Sequence, residues 1–85
     1  MKIYYGTESQ KIDITDKVKA NGNCIFIPSG AFIRDQLFGD PVPFQVKYIF
    51  INENIYPETC KIYIDEFNQV YRVDDVPQYI LDTFS

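Results

Sequence analysis

Apolar and polar residues alternate along much of this chain in runs of four to eight, the period-two pattern of half-buried strands. Lys2-Ile3-Tyr4-Tyr5 before Gly6, and Lys11-Ile12-Asp13-Ile14 before Thr15-Asp16, read as two strands joined by a polar turn at Glu8 and Ser9, with Ile12 and Ile14 on one side. Thr15 or Asp16 can cap one helical turn over residues 17–20, which Asn21-Gly22-Asn23 stops. Cys24-Ile25-Phe26-Ile27 is an unbroken apolar run closed by Pro28-Ser29-Gly30, as expected of a central strand covered on both faces.

Between residues 31 and 38 the apolar positions Ile33, Leu37 and Phe38 suit a single helical turn, or an ordered loop pinned by Phe38. Gly39-Asp40-Pro41-Val42-Pro43 then makes a stiff corner, because proline lacks an N–H and pushes its predecessor toward extended backbone. Residues 44–51 carry the longest strand signal, with Phe44, Val46, Tyr48 and Phe50 on one face. Asn52-Glu53-Asn54 breaks it. Residues 60–65 and 69–73 alternate around Glu66-Phe67-Asn68 and predict a hairpin with a three-to-five-residue loop. The tail spaces Val76, Tyr79, Ile80 and Phe84 as a helical turn does, although an extended tail fits nearly as well. The sum is an all-β fold: a small two-sheet antiparallel β-sandwich of six to eight short strands with a short helical turn near the C-terminus. No repeat or linker divides it, so residues 1–85 form one domain.

Composition agrees with that pattern. Twelve Ile, seven Tyr and seven Phe stand against two Ala and four Gly, a vocabulary suited to pleated, half-buried surfaces. At 85 residues the chain hides only roughly 60–65% of its unfolded surface, which leaves little stability for a strained catalytic site. It contains no His and no Trp, which removes imidazole as general base, zinc ligand and pH switch. The first fifteen residues hold charges and no apolar run, and the apolar runs 24–27 and 48–51 are far shorter than the roughly 20 residues that span a bilayer. The expectation is a soluble, cytoplasmic protein.

The order of several short blocks is familiar: Tyr5-Gly6, Asp13-Ile14-Thr15 with Val18, Ile25 and Ile27, Phe38-Gly39-Asp40-Pro41, and Lys47 followed by Tyr48-Ile49-Phe50-Ile51. This order resembles the C-terminal domain of uncharacterised function in mitochondrial DnaJ-like subfamily C proteins, and similar small domains in protist and large-DNA-virus proteins. The resemblance spans residues 4–73 and is most distinctive at Gly39-Asp40-Pro41 followed by Lys47. It implies an all-β structural or interaction domain, and it brings no catalytic residues. The chain departs from that family at its tail, where Asp74, Asp75 and Asp82 replace a basic ending, and it has no J domain.

Candidate chemistry is sparse. Cys24 and Cys60 lie in predicted strands and could meet across a sandwich, but without a secretory signal two reduced, half-buried thiols are expected. Asp65/Glu66 and Asp74/Asp75 are carboxylate pairs that would need a cleft to act as a glycosidase. Asp65, Glu66, Asn68, Asp74 and Asp75 could ligate a weak Ca²⁺, yet their spacing is not that of an EF-hand, so solvated turns are expected and no metal or other cofactor. Residues 1–51 carry a net charge of +1 and residues 52–85 a net −5, and only Lys11, Lys17 and Lys19 approach a basic cluster. Nucleic-acid binding is therefore not expected.

What remains is aromatic. Tyr4, Tyr63 and Tyr71 are the candidate interaction residues, with Tyr48 beside them, because tyrosine gives large contact area at low entropy cost. Packing under the tail, with Tyr79 and Phe84 across the same face, is the competing expectation for Tyr63 and Tyr71. The N-terminal run 2–5 could also offer a free strand edge. The functional expectation is a non-enzymatic structural or protein-interaction module, self-associating or part of a larger assembly such as a virion. The alternative is a small carbohydrate-binding module that uses surface Tyr residues.

Overall fold

The computed structural model describes residues 1–84 and contains among them eight strands and two helices. One sheet is ordered β2-β1-β5-β6, from β1 (Ile3–Gly6), β2 (Lys11–Asp13), β5 (Tyr48–Ile51) and β6 (Asn54–Tyr56). The other is ordered β3-β4-β7-β8, from β3 (Lys19–Asn21), β4 (Cys24–Ile27), β7 (Ile62–Ile64) and β8 (Val70–Arg72). Every pairing is antiparallel. Helix α1 (Ala31–Phe38) joins β4 to β5, and helix α2 (Gln78–Thr83) follows β8. The all-β, two-sheet expectation and the C-terminal helical turn therefore hold. No helix among the described residues is long and apolar enough to cross a membrane.

Isoleucine alternation builds the core. Ile3 pairs with Ile51 and Tyr5 with Ile49 on the first sheet, while Ile27 pairs with Ile62 and Ile25 with Ile64 on the second. Ile3, Ile14, Ile27, Ile49, Ile51, Ile62 and Ile64 are almost wholly buried between the sheets. Each such side chain contributes about 1.5–3 kcal/mol of transfer free energy. At one edge the sheets are closed by Arg72 of β8, whose guanidinium lies 5.6 Å from the ring centre of Tyr56 on β6.

The two outer faces differ. On the second sheet Phe26 and Tyr63 lie side by side with ring centres 5.0 Å apart, and Phe84 lies 5.7 and 6.0 Å from them. The tail is thus anchored by Phe84 and by fully buried Ile80. On the first sheet Tyr4, Phe50 and Ile55 form a row across β1, β5 and β6.

Four local expectations change. Residues 15–18 turn and 19–21 pair with β4, since one isolated helical turn cannot offset its nucleation cost when a strand partner is present. Thr15 serves the reversal instead: its hydroxyl accepts the Ile3 N–H, and its own N–H donates to Asp13. The expected 44–51 strand begins only at Tyr48, because residues 41–47 fold into a turn around the Lys47 ammonium. Asn52, at φ 56°, makes the Asn52-Glu53 turn a two-residue hairpin loop, so the predicted break carries the extra strand β6. Finally, β1 lies between β2 and β5, so run 2–5 offers no free edge.

Candidate functional site

Helix α1 has two full turns rather than one, bracketed by Gly30 and Gly39 at positive φ. Its phase is set by Arg34 and Phe38, one turn apart and both buried. Phe38 meets Tyr5 edge to face at 5.7 Å. Arg34 is 0% exposed, and its guanidinium donates to the carbonyls of Pro28, Pro57 and Cys60 at 2.7, 3.2 and 2.6 Å. Burial lowers its pKa, but guanidinium starts so high that the charge persists. With this face inward, Phe32, Ile33 and Leu37 are left outside, Phe32 at 73% exposure.

The next loop is tied to the same helix. The Lys47 ammonium lies 3.0 Å from Asp40 and 3.7 Å from Asp35, and donates to the carbonyls of Val42 and Gln45. Asp35 in turn accepts the Tyr5 hydroxyl at 2.6 Å. The loop held in this way presents Phe44 and Val46. Phe44 is fully exposed and sits at φ 66°. A bulky residue in the left-handed region is strained, and such strain concentrates at sites of function. The other non-glycine residues there, Asn52 and Asn68, are of the type that tolerates it.

Five of the ten exposed large hydrophobic side chains thus fall within residues 32–46, under a fifth of the chain. Across 28–47 the charged residues are Arg34, Asp35, Asp40 and Lys47, which sum to zero and are all engaged. An apolar surface without free charge has the composition of a protein-interface centre.

Compared with family models, curated proteins and solved structures, the chain matches none.

The residues singled out from sequence do not assemble into one surface. Tyr63 and Tyr71 are cross-strand partners on β7 and β8, but Tyr63 is buried beneath Phe84 and the Tyr71 hydroxyl donates to Asp65. Tyr4 is on the other sheet, half-buried beside a shallow cleft of about 260 Å³ with Phe50, Ile55 and Glu53. The Lys11 ammonium lies 5.1 Å from the Phe50 ring centre there. Tyr4 therefore lies on a different sheet from Tyr63 and Tyr71.

Asp65 is buried and organises its hairpin turn: it accepts the N–H groups of Phe67 and Gln69 as well as the Tyr71 hydroxyl. Among the described residues no three Asp, Glu, Cys or His side chains gather as a metal site. Cys24 and Cys60 are free thiols. The β4–β7 register pairs Ile25 with Ile64 and Ile27 with Ile62, which puts the two cysteines at opposite ends of the strands, roughly 16 Å apart along their axis. No disulfide can close that gap.

The sequence reading takes residues 31–38 as a single helical turn or a loop pinned by Phe38, and so names no outward face there. The available signal was the low and balanced charge from 28 to 47.

Tyr5 gives a pH prediction. Burial, then the hydrogen bond to Asp35 and that carboxylate's charge, raise its pKa above the ordinary tyrosine value of about 10. A raised folded-state pKa adds stability that is complete below pH 10 and lost as pH rises further. The melting temperature should therefore fall from pH 10 to 12, and less steeply in Tyr5→Phe. Parallel slopes for the two proteins would show that Tyr5 is not the linked group.

Proposed function

We propose that this chain is a non-enzymatic structural module that joins another polypeptide through the exposed face of α1 and the 41–46 loop. The observation that carries this is Phe44, a fully exposed aromatic side chain held in left-handed backbone next to a helix with Phe32, Ile33 and Leu37 outside. Strain and exposure both cost stability in a small domain, and contact with a partner offsets both. The absence of histidine from the sequence fits the same reading.

The likeness to the DnaJ-like C-terminal domain belongs to this proposal. Its most distinctive pair, Asp40 and Lys47, is the ion pair that holds the Phe44 loop against α1, so the shared motif would preserve the shape of a docking surface.

The test places a benzophenone side chain at position 37 or 44 in cells that express the chain, with position 67 as control. Phe67 is equally apolar, 79% exposed, and lies in the β7–β8 turn. Discrete adducts with one identified polypeptide are expected from 37 and 44 and not from 67. No adduct at 37 and 44, or equal yield at all three positions, would overturn the assignment.

A further inference from the structure

We infer that the Asn21 side-chain amide is a modification site: its hydrolysis to a carboxylate, through attack by the Gly22 backbone nitrogen, releases the α2 tail from the second sheet. This is independent of the docking surface proposed above.

The bond at stake is long-range. The Asn21 Nδ2 donates to the Thr83 carbonyl at 2.5 Å and so ties edge strand β3 to the last residue of α2. Only the amide nitrogen can donate to a carbonyl, so the nitrogen and not the oxygen faces the helix. Carbonyls of a last helical turn lack partners within the helix and carry partial negative charge. An amide donor suits that place. A carboxylate has no proton to offer there, and the carbonyl repels it. The same tail buries Ile80 and lays the Phe84 ring against Phe26 and Tyr63, so its release uncovers an aromatic sheet face.

The reacting nitrogen is adjacent. Of the five asparagines, Asn21 alone precedes glycine; in the other four a side chain on the following residue shields the nitrogen. Gly22 is exposed at φ 63°, with open space where a Cβ would stand. Its nitrogen gives a proton to water and bonds to the Asn21 Cγ, the Cγ–Nδ2 bond breaks, ammonia leaves and an imide ring closes. Water then opens the ring. Attack at the side-chain carbonyl leaves aspartate in the original backbone, and attack at the main-chain carbonyl leaves isoaspartate. The backbone has freedom to reach this geometry, because β3 is a three-residue edge strand, exposed throughout, and Asn21 is its last paired residue. Such segments open locally at low cost.

The test incubates the full chain in warm, mildly alkaline buffer and maps amide loss by peptide mass. Asn21 should convert before Asn23, Asn52, Asn54 and Asn68, and Gly22→Ala should suppress that conversion. Hydrogen exchange then reads the tail in Asn21→Asp. The Ile80 and Phe84 amides, which donate to the carbonyls of Pro77 and Leu81, should exchange about tenfold faster than in the wild type. Amides of β1 and β5 should exchange as before, and a dye that reports apolar surface should brighten.

Conversion of Asn21 no faster than that of the other four asparagines overturns the modification site. Tail amides as protected in Asn21→Asp as in the wild type overturn the release. Should Asn21→Asp also loosen β1 and β5, Asn21→Ala decides, since it removes the donor without adding charge. Faster exchange confined to residues 78–84 in that variant keeps the proposal, and exchange that is unchanged or general overturns it.

Discussion

Replacing Arg34 by alanine is expected to destabilise the protein by about 3–5 kcal/mol, from buried carbonyls left without their donor and the cavity left by the side chain. The guanidinium is fully buried and joins two separate stretches through three carbonyls: the β4–α1 link at Pro28, and the β6–β7 link at Pro57 and Cys60. No carboxylate lies within salt-bridge distance of it among the described residues, so the groups that touch its charge are carbonyl dipoles. Alanine would leave those three carbonyls without their charged donor, and hydrogen bonds to charged groups contribute about 1.5–3 kcal/mol each. A domain of 85 residues has a total stability of only about 4–13 kcal/mol. The melting temperature should fall by at least about 12 °C.

Two further variants separate volume from hydrogen bonding. Arg34→Met keeps most of the volume and should be nearly as damaging as alanine. Arg34→Lys keeps the charge but not the planar fork, and should fall between alanine and wild type. Urea denaturation checks all three. A methionine variant within about 1 kcal/mol of wild type would show that packing, not the carbonyl contacts, fixes α1.

Gly6→Ala is expected to be nearly as severe, for a steric reason. Gly6 sits at φ 146° at the end of β1, where a Cβ would lie 2.2 Å from the Gln10 carbonyl oxygen and 2.7 Å from the Lys11 Cα. Both neighbours are backbone of the returning hairpin and cannot swing aside. Strain at such a position costs about 1–3 kcal/mol before the clash is added, so a loss above about 3 kcal/mol is expected. Gly22→Ala is the control. Gly22 is at φ 63° in the β3–β4 turn with open space where a Cβ would go, and its loss should stay near 1 kcal/mol. Equal urea midpoints for the two variants would show that the close approach at Gly6 relaxes without cost.

The short blocks singled out in the sequence acquire a common physical meaning. Tyr5 hydrogen-bonds Asp35, Gly6 admits the return of the first hairpin, Asp13 and Thr15 close the next reversal, and Asp40 binds Lys47. Each fixes a turn or ties a loop to the sandwich.

Period-two alternation was enough to specify the two-sheet architecture, because Ile3/Tyr5, Ile49/Ile51 and Ile62/Ile64 can be buried only on one side of each strand. The hairpins at 7–10 and 65–69 were legible for the same reason, as was the central place of β4. Wrong expectations arose where a long-range partner outweighed local preference. Residues 17–20 gave up a helical turn to allow pairing of 19–21 with β4, and alternation over 44–47 gave way to carbonyls gathered around one ammonium.

The α1 face shows this most plainly. Residues 31–38 read alone suit one helical turn or a loop pinned by Phe38, and leave the buried side of the helix open. Tertiary structure settles it, because the carbonyls of Pro28, Pro57 and Cys60 converge on the forked donors of one guanidinium, so Arg34 goes in. The sequence by itself determined the strand composition, the absence of imidazole chemistry and the neutral stretch from 28 to 47. Only the folded arrangement decided which side of that stretch meets solvent, because side-chain direction there depends on hydrogen-bond partners up to 26 residues away along the chain.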